Sequence, residues 1–126
     1  MKKGQDDNDC FREHVDRGHA FFLRGDMESA KGSYLLAYAS SSFRGDIEEI
    51  TLSMVYMSPD DAWTKELISY LGSTAKNYSD YYTLGILFKS VPNGKGQARK
   101  HFETALRLAK VAWAKKAIKE ELEKLR

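Results

Sequence analysis

The residues best equipped for chemistry in this 126-residue chain are three histidines, one cysteine and a few adjacent carboxylates. His14 and His19 are five residues apart. Two helical metal ligands must be three or four apart to share a face, so this pair does not stack, and His101 stands far along the chain. Asp60-Asp61 and Glu48-Glu49 could act as paired acid and base. Both fall at expected helix starts, where carboxylates already have an electrostatic reason to be. Asn93-Gly94-Lys95-Gly96 lacks the spacing of a phosphate-binding loop and has no Ser or Thr after the lysine. Cys10 lacks the surroundings that mark a nucleophile. The reading is a protein with no catalytic residue, no metal site and no cofactor, and therefore not an enzyme.

The elements that must position these groups all read as helices, since no segment alternates like a strand. The first helix is expected from about Cys10 to Arg24, with Asp6, Asp7 and Asp9 before it opposing the positive helix end. Gly25-Asp26 makes a turn, glycine serving the left-handed cap and aspartate the next start. The second helix spans Met27 to about Ser42. Asp46 with Glu49 resembles a capping box for a third helix over Ile47–Met57. Ser58-Pro59-Asp60-Asp61 starts a fourth, ending near Ser73. Asn77-Tyr78-Ser79-Asp80 starts a fifth, ending near Lys89. Pro92-Asn93-Gly94 and Gly96 form a longer turn. A sixth covers about Gln97–Ala109 and a seventh about Val111–Leu125.

Composition fits one domain. The hydrophobic fraction of 42% can form a packed core, and two prolines in the whole chain suit long helices. A lone cysteine forms no internal disulfide and fits a reducing compartment. The start, Met1-Lys2-Lys3-Gly4-Gln5-Asp6-Asp7, has no apolar run and does not read as a signal peptide. No stretch of about 18 apolar residues reads as a membrane span. A cytoplasmic protein is expected. The net charge of +2 hides an asymmetry: residues 95–126 hold ten Lys/Arg against four Glu, while the remainder is net acidic.

A spaced set of residues returns along the chain. Gly18, Phe21, Gly25, Ala30, Tyr34 and Ala37 near the start are matched by Gly85, Phe88, Ala98, Phe102 and Ala105 near the end. The two glycines are 67 residues apart, two units of 33 to 34, a period that belongs to helical hairpins. At these residues the chain resembles the tetratricopeptide repeat family, whose paired helices cross at small residues. Residues 11–44 and 78–112 carry the likeness. The unit over 45–77 departs from it, with Leu52, Thr64 and Leu71 where small residues belong. The resemblance implies an all-α, right-handed α-α superhelix of about seven helices over residues 1–126. It would comprise three antiparallel hairpins (11–44, 45–77 and 78–112) and a C-terminal capping helix over 111–125.

The resemblance further implies a protein–protein interaction scaffold, or adaptor, that holds a peptide or helical segment of an unidentified protein partner. The concave groove would be lined by Val15, His19, Phe22, Glu49, Ser53, Tyr56, Tyr82, Ile86 and Lys89. The carboxylate clamp of chaperone-binding members is not expected, because only Lys89 suits it. The alternative for Phe22, Tyr56 and Tyr82 is packing between hairpins, and one side of the Tyr78-Tyr81-Tyr82 helix is expected to bury against the fourth helix. Two further readings concern the basic end. Arg99, Lys100, Arg107, Lys110, Lys115, Lys116, Lys119 and Lys124 could attract RNA or another anionic surface. Glu120, Glu121 and Glu123 interrupt that run and argue against nucleic acid. Ala114, Ala117, Ile118, Leu122 and Leu125 give the last helix an apolar face for self-association into a homo-oligomer, with capping of the sixth helix as the simpler use.

Overall fold

The computed structural model describes the backbone of residues 3–126 and the side chains of residues 10–126. Met1 and Lys2, on which the reading of the start partly rests, lie outside the described residues. Among the described residues the structure shows the expected all-α class with seven helices: α1 (Lys3–Leu23), α2 (Met27–Ala39), α3 (Arg44–Met57), α4 (Ala62–Ser73), α5 (Tyr78–Lys89), α6 (Lys95–Leu108) and α7 (Ala112–Lys124). Among the described residues no helix is long and apolar enough to cross a membrane. The chain forms two compact units, Met1–Ser58 with α1 to α3 and Pro59–Arg126 with α4 to α7. The division falls inside the 45–77 segment.

In the first unit α1 and α2 form the main pair, and α3 packs on both. Gly25 has φ +80, the left-handed geometry that glycine adopts without penalty. Asp26 then caps α2 by accepting from the Ser29 amide at 3.1 Å. The helices meet at Gly18, where an added Cβ would lie 2.4 Å from the Tyr34 ring. Tyr34 is buried there with Val15, Ala30, Ala37, Ile50 and Met54.

The second unit repeats the device. α5 and α6 form the main pair, α4 packs on α5, and α7 on α6. At Gly85 an added Cβ would lie 2.5 Å from the Phe102 ring. Phe102 has no exposed surface and anchors a core with Ala98, Ala105, Ala114, Ile118 and Leu125. The glycine–aromatic pairs Gly18–Tyr34 and Gly85–Phe102 thus occupy matching places. The return pattern in the sequence is a packing pattern.

The helix starts keep the same period. The residues preceding α3, α5 and α7 are Phe43, Asn77 and Val111, at intervals of 34 residues. Asp46 and Asp80, also 34 apart, each accept from a backbone amide four residues earlier, Ser42 at 2.9 Å and Lys76 at 2.8 Å. This period corrects the reading of the middle segment. The residue 34 before Gly85 is Thr51, which is fully buried, while Leu52 is half-buried. Thr51 folds its hydroxyl back onto the Ile47 carbonyl at 2.6 Å, which removes the cost of burying it. Thr64 and Leu71, 34 before Ala98 and Ala105, are likewise fully buried. The small position is therefore kept by threonine, one residue away from where counting 34 from Gly18 places it.

Several boundaries differ from expectation for local reasons. α1 begins at Lys3, so Asp6, Asp7 and Asp9 fall within its early turns, still near the positive end. α2 ends at Ala39, because Ser40 and Ser41 donate their hydroxyls to the Leu36 and Tyr38 carbonyls at 3.2 and 2.7 Å. α3 begins at Arg44, with Asp46 inside its first turn rather than capping it from outside. α4 is capped by Asp61, accepting from the Trp63 amide at 2.8 Å, and Ser58-Pro59 lies before it.

His101 on α6 stacks between two rings of α5, with centroids 6.1 Å from Tyr81 and 5.1 Å from Phe88. Burial disfavours the imidazolium and pushes its pKa below the ordinary 6.5. The unfolded chain therefore takes up this proton first. Stability from neutral His101 is complete above about pH 6.5 and is lost as pH falls toward the lowered folded pKa. Urea midpoints at pH 7.5 and 5.5 should drop for the wild type, and His101→Phe should shrink that drop.

Candidate functional site

The nine expected groove residues divide between the units. In the first unit the structure brings His19, Glu49 and Ser53 together around the Tyr34 hydroxyl. His19 Nδ1 lies 2.7 Å from Tyr34 Oη, and the two rings meet edge-on. The phenol is pushed up in pKa by burial, opposed by a hydrogen bond with Ser53 and reinforced by the Glu49 charge. Glu49 accepts a bidentate pair from Arg12 at 2.8 and 2.9 Å, joining α3 to α1. That hydrogen bonding raises the Arg12 guanidinium pKa and holds the Glu49 carboxyl below its usual range. The arrangement is a satisfied polar seam, with its carboxylate already committed to arginine. It presents no acid and base aimed at a common point.

The other three expected residues of this unit differ among themselves. Val15 has no exposed surface and belongs to the core, because its face of α1 turns toward buried neighbours. Phe22 is half-buried. Tyr56 is 66% exposed, so it does not pack between hairpins.

In the second unit Tyr82 and Ile86 pack against the core, Tyr82 edge-on to Phe102 at 5.6 Å between centroids. Lys89 is committed: its ammonium lies 2.7 Å from Glu121 of α7. Burial pushes the Glu121 carboxyl up, but hydrogen bonds and charges from Lys89 and Lys124 outweigh it and leave the pKa low. The bridge fastens α7 to α5. Arg99 likewise donates to the Leu125 carbonyl at 3.1 Å. Part of the basic end is therefore structural. The apolar face of α7 is occupied too, with Ala114, Ile118 and Leu125 inside the unit's own core.

One concave feature of this unit is an apolar hollow of about 230 Å³ between α5 and α7. Tyr78, Ser79 and Tyr82 line one wall, and Trp113, Ala114, Ala117 and Ile118 the other. The α5 tyrosines thus make their ring contacts with α6 and α7, while α4 packs on α5 as expected. Tyr78 meets Trp113 edge-on, at 6.5 Å and 77°. Trp113 is 70% exposed. Sequence reasoning missed it. The signal was present in its four-residue spacing from Ala117, which sets a second apolar column beside Ala114 and Ile118.

Among the described residues no group of His, Cys, Asp and Glu could hold a metal ion. Cys10 is exposed and free. His14 carries a buried Nδ1 with no hydrogen-bond partner, a single atom without neighbours arranged for chemistry. Comparison with protein-family models, curated proteins and solved structures gives no match.

Proposed function

We propose that this chain is a non-enzymatic interaction module built from helical hairpins of the tetratricopeptide kind. Its task is to hold a segment of another protein, as an adaptor in the cytoplasm. Support comes from the 34-residue period of helix starts and from the repeated glycine–aromatic crossings. The observation that carries the reading is Trp113. A tryptophan left largely in water beside an apolar hollow has the form of a binding anchor, since aromatic side chains dominate interface energetics. Tyr82 extends this proposed contact surface within the second unit.

Burying Trp113 against a partner supplies a large apolar area, while its loss from the free chain removes little packing. Trp113→Ala should leave the helical circular dichroism and the thermal midpoint within a few degrees of wild type. It should reduce recovery of the cellular partner in affinity purification about tenfold or more. Equal recovery by the two proteins would refute the proposal.

A further inference from the structure

We infer that the corner joining α6 to α7 docks on an anionic lipid surface, a contact separate from the hollow and independent of the module reading. Charge is the first argument. From Thr104 to Lys119 the chain holds Arg107, Lys110, Lys115, Lys116 and Lys119 and no Asp or Glu. None of these five cations has an ion-pair partner among the described residues. Glu103 lies one turn before Arg107, and Glu120 and Glu123 lie in the later turns of α7, so carboxylates flank the stretch without entering it. The first turn of α7 holds no acidic residue either, and its positive end adds to the same field.

Packing is the second argument, because it decides which side chains of the corner reach water. Ala109 is 4% exposed, belongs to the core with Ala105 and Ala114, and donates its amide to the Ala105 carbonyl at 2.9 Å. The corner is therefore pinned at its middle, and Leu108 and Lys110 on either side of Ala109 are exposed. Leu108 keeps 39% of its surface in water and Val111 43%. Two aliphatic side chains are thus held out among unpaired cations.

That combination selects the partner. On a bilayer, anionic headgroups meet the cations, and the acyl boundary just beneath them takes the aliphatic tips. RNA would engage the cations but gains little from leucine and valine, since bases stack on aromatic rings and guanidinium planes. The exposed aromatic nearby, Trp113, sets its ring against Tyr78 beside the hollow and belongs to that site.

Co-sedimentation of the full chain with vesicles tests the inference. Phosphatidylcholine vesicles with about one third phosphatidylserine should carry the protein down at ~0.1 M salt, and phosphatidylcholine alone should not. Arg107→Glu/Lys110→Glu should weaken this binding about tenfold or more, and Leu108→Ser/Val111→Ser severalfold, both with wild-type circular dichroism. Trp113→Ala should sediment as the wild type does, which separates this contact from the partner site. Failure to sediment with the phosphatidylserine vesicles would overturn the inference, as would undiminished binding by Leu108→Ser/Val111→Ser. Fluorescence anisotropy with polyuridine at the same salt covers the other polyanion. Binding to it tighter than to the vesicles, and unchanged by Leu108→Ser/Val111→Ser, would assign the cations to RNA and also overturn it.

Discussion

Replacing Gly94 by alanine is expected to destabilise the protein by about 3 kcal/mol, the upper part of the range for forced overpacking. Gly94 precedes α6 and is buried in the α5–α6 turn. Its φ of −89 suits any residue, so the obstacle is space. A Cβ would lie 2.1 Å from the Phe88 carbonyl oxygen and 3.0 Å from that of Val91. Both are backbone atoms, one in the last turn of α5 and one in the turn after it, and neither can rotate away as a side chain would. The turn must open, which displaces the first residues of α6 and the Ala98 contact. Gly96 is the control. Nothing lies within 4 Å of its missing Cβ, so Gly96→Ala should be neutral or stabilising by up to ~1 kcal/mol from helix propensity. Urea unfolding of the two variants measures the contrast.

Gly85→Ala is the second large effect, expected at about 2 kcal/mol. Alanine favours the helix by roughly 0.5–1 kcal/mol, but forced overpacking costs about 1–3 kcal/mol or more. Three atoms of the Phe102 ring lie within 2.6 Å of the added Cβ, and the ring has no exposed side to move toward. The mechanism predicts its own rescue. In Gly85→Ala/Phe102→Leu the narrower side chain admits the methyl, so the double variant should lose at least ~1 kcal/mol less than the two single losses added together. Strict additivity would show that the ring is not the obstacle. Gly18→Ala should behave alike against Tyr34, whose ring is further held by His19.

These glycines also show what could be read without coordinates. Gly18, Ala30, Tyr34 and their later counterparts were legible because a crossing of two helices needs a small residue opposite a large one, and sequence carries that demand directly. Asp26, Asp61 and Asn77 were legible as helix-start residues, since a cap is a local interaction. The middle segment was misread by one position. Threonine can occupy a small-residue slot only if its hydroxyl finds a partner, and Thr51 finds one in the turn beneath it. That compensation leaves no mark in composition.

The candidate site was only partly legible. Tyr82 was identified as a contact residue, and it does line the hollow. Lys89 was identified as a groove residue, yet Glu121, 32 positions away, engages it. Such a pairing depends on how α7 returns along α5, which no local pattern encodes. Val15 has the spacing of a groove residue but sits on the buried side of α1. Trp113 was passed over because the last helix reads as a cap whose apolar face runs through Ala114, Ala117 and Ile118. Its exposure becomes informative only when Tyr78 and Tyr82 are seen across the hollow.

A rival surface exists in the first unit, where α2 exposes Leu35 and Leu36. Photo-crosslinking in the native cell separates it from the α5–α7 hollow. A benzophenone amino acid is placed at position 113 in one variant and at position 36 in another, and adducts are compared after irradiation. The account predicts a discrete protein adduct from position 113 and none from position 36. An adduct from position 36, with none from 113, would contradict it.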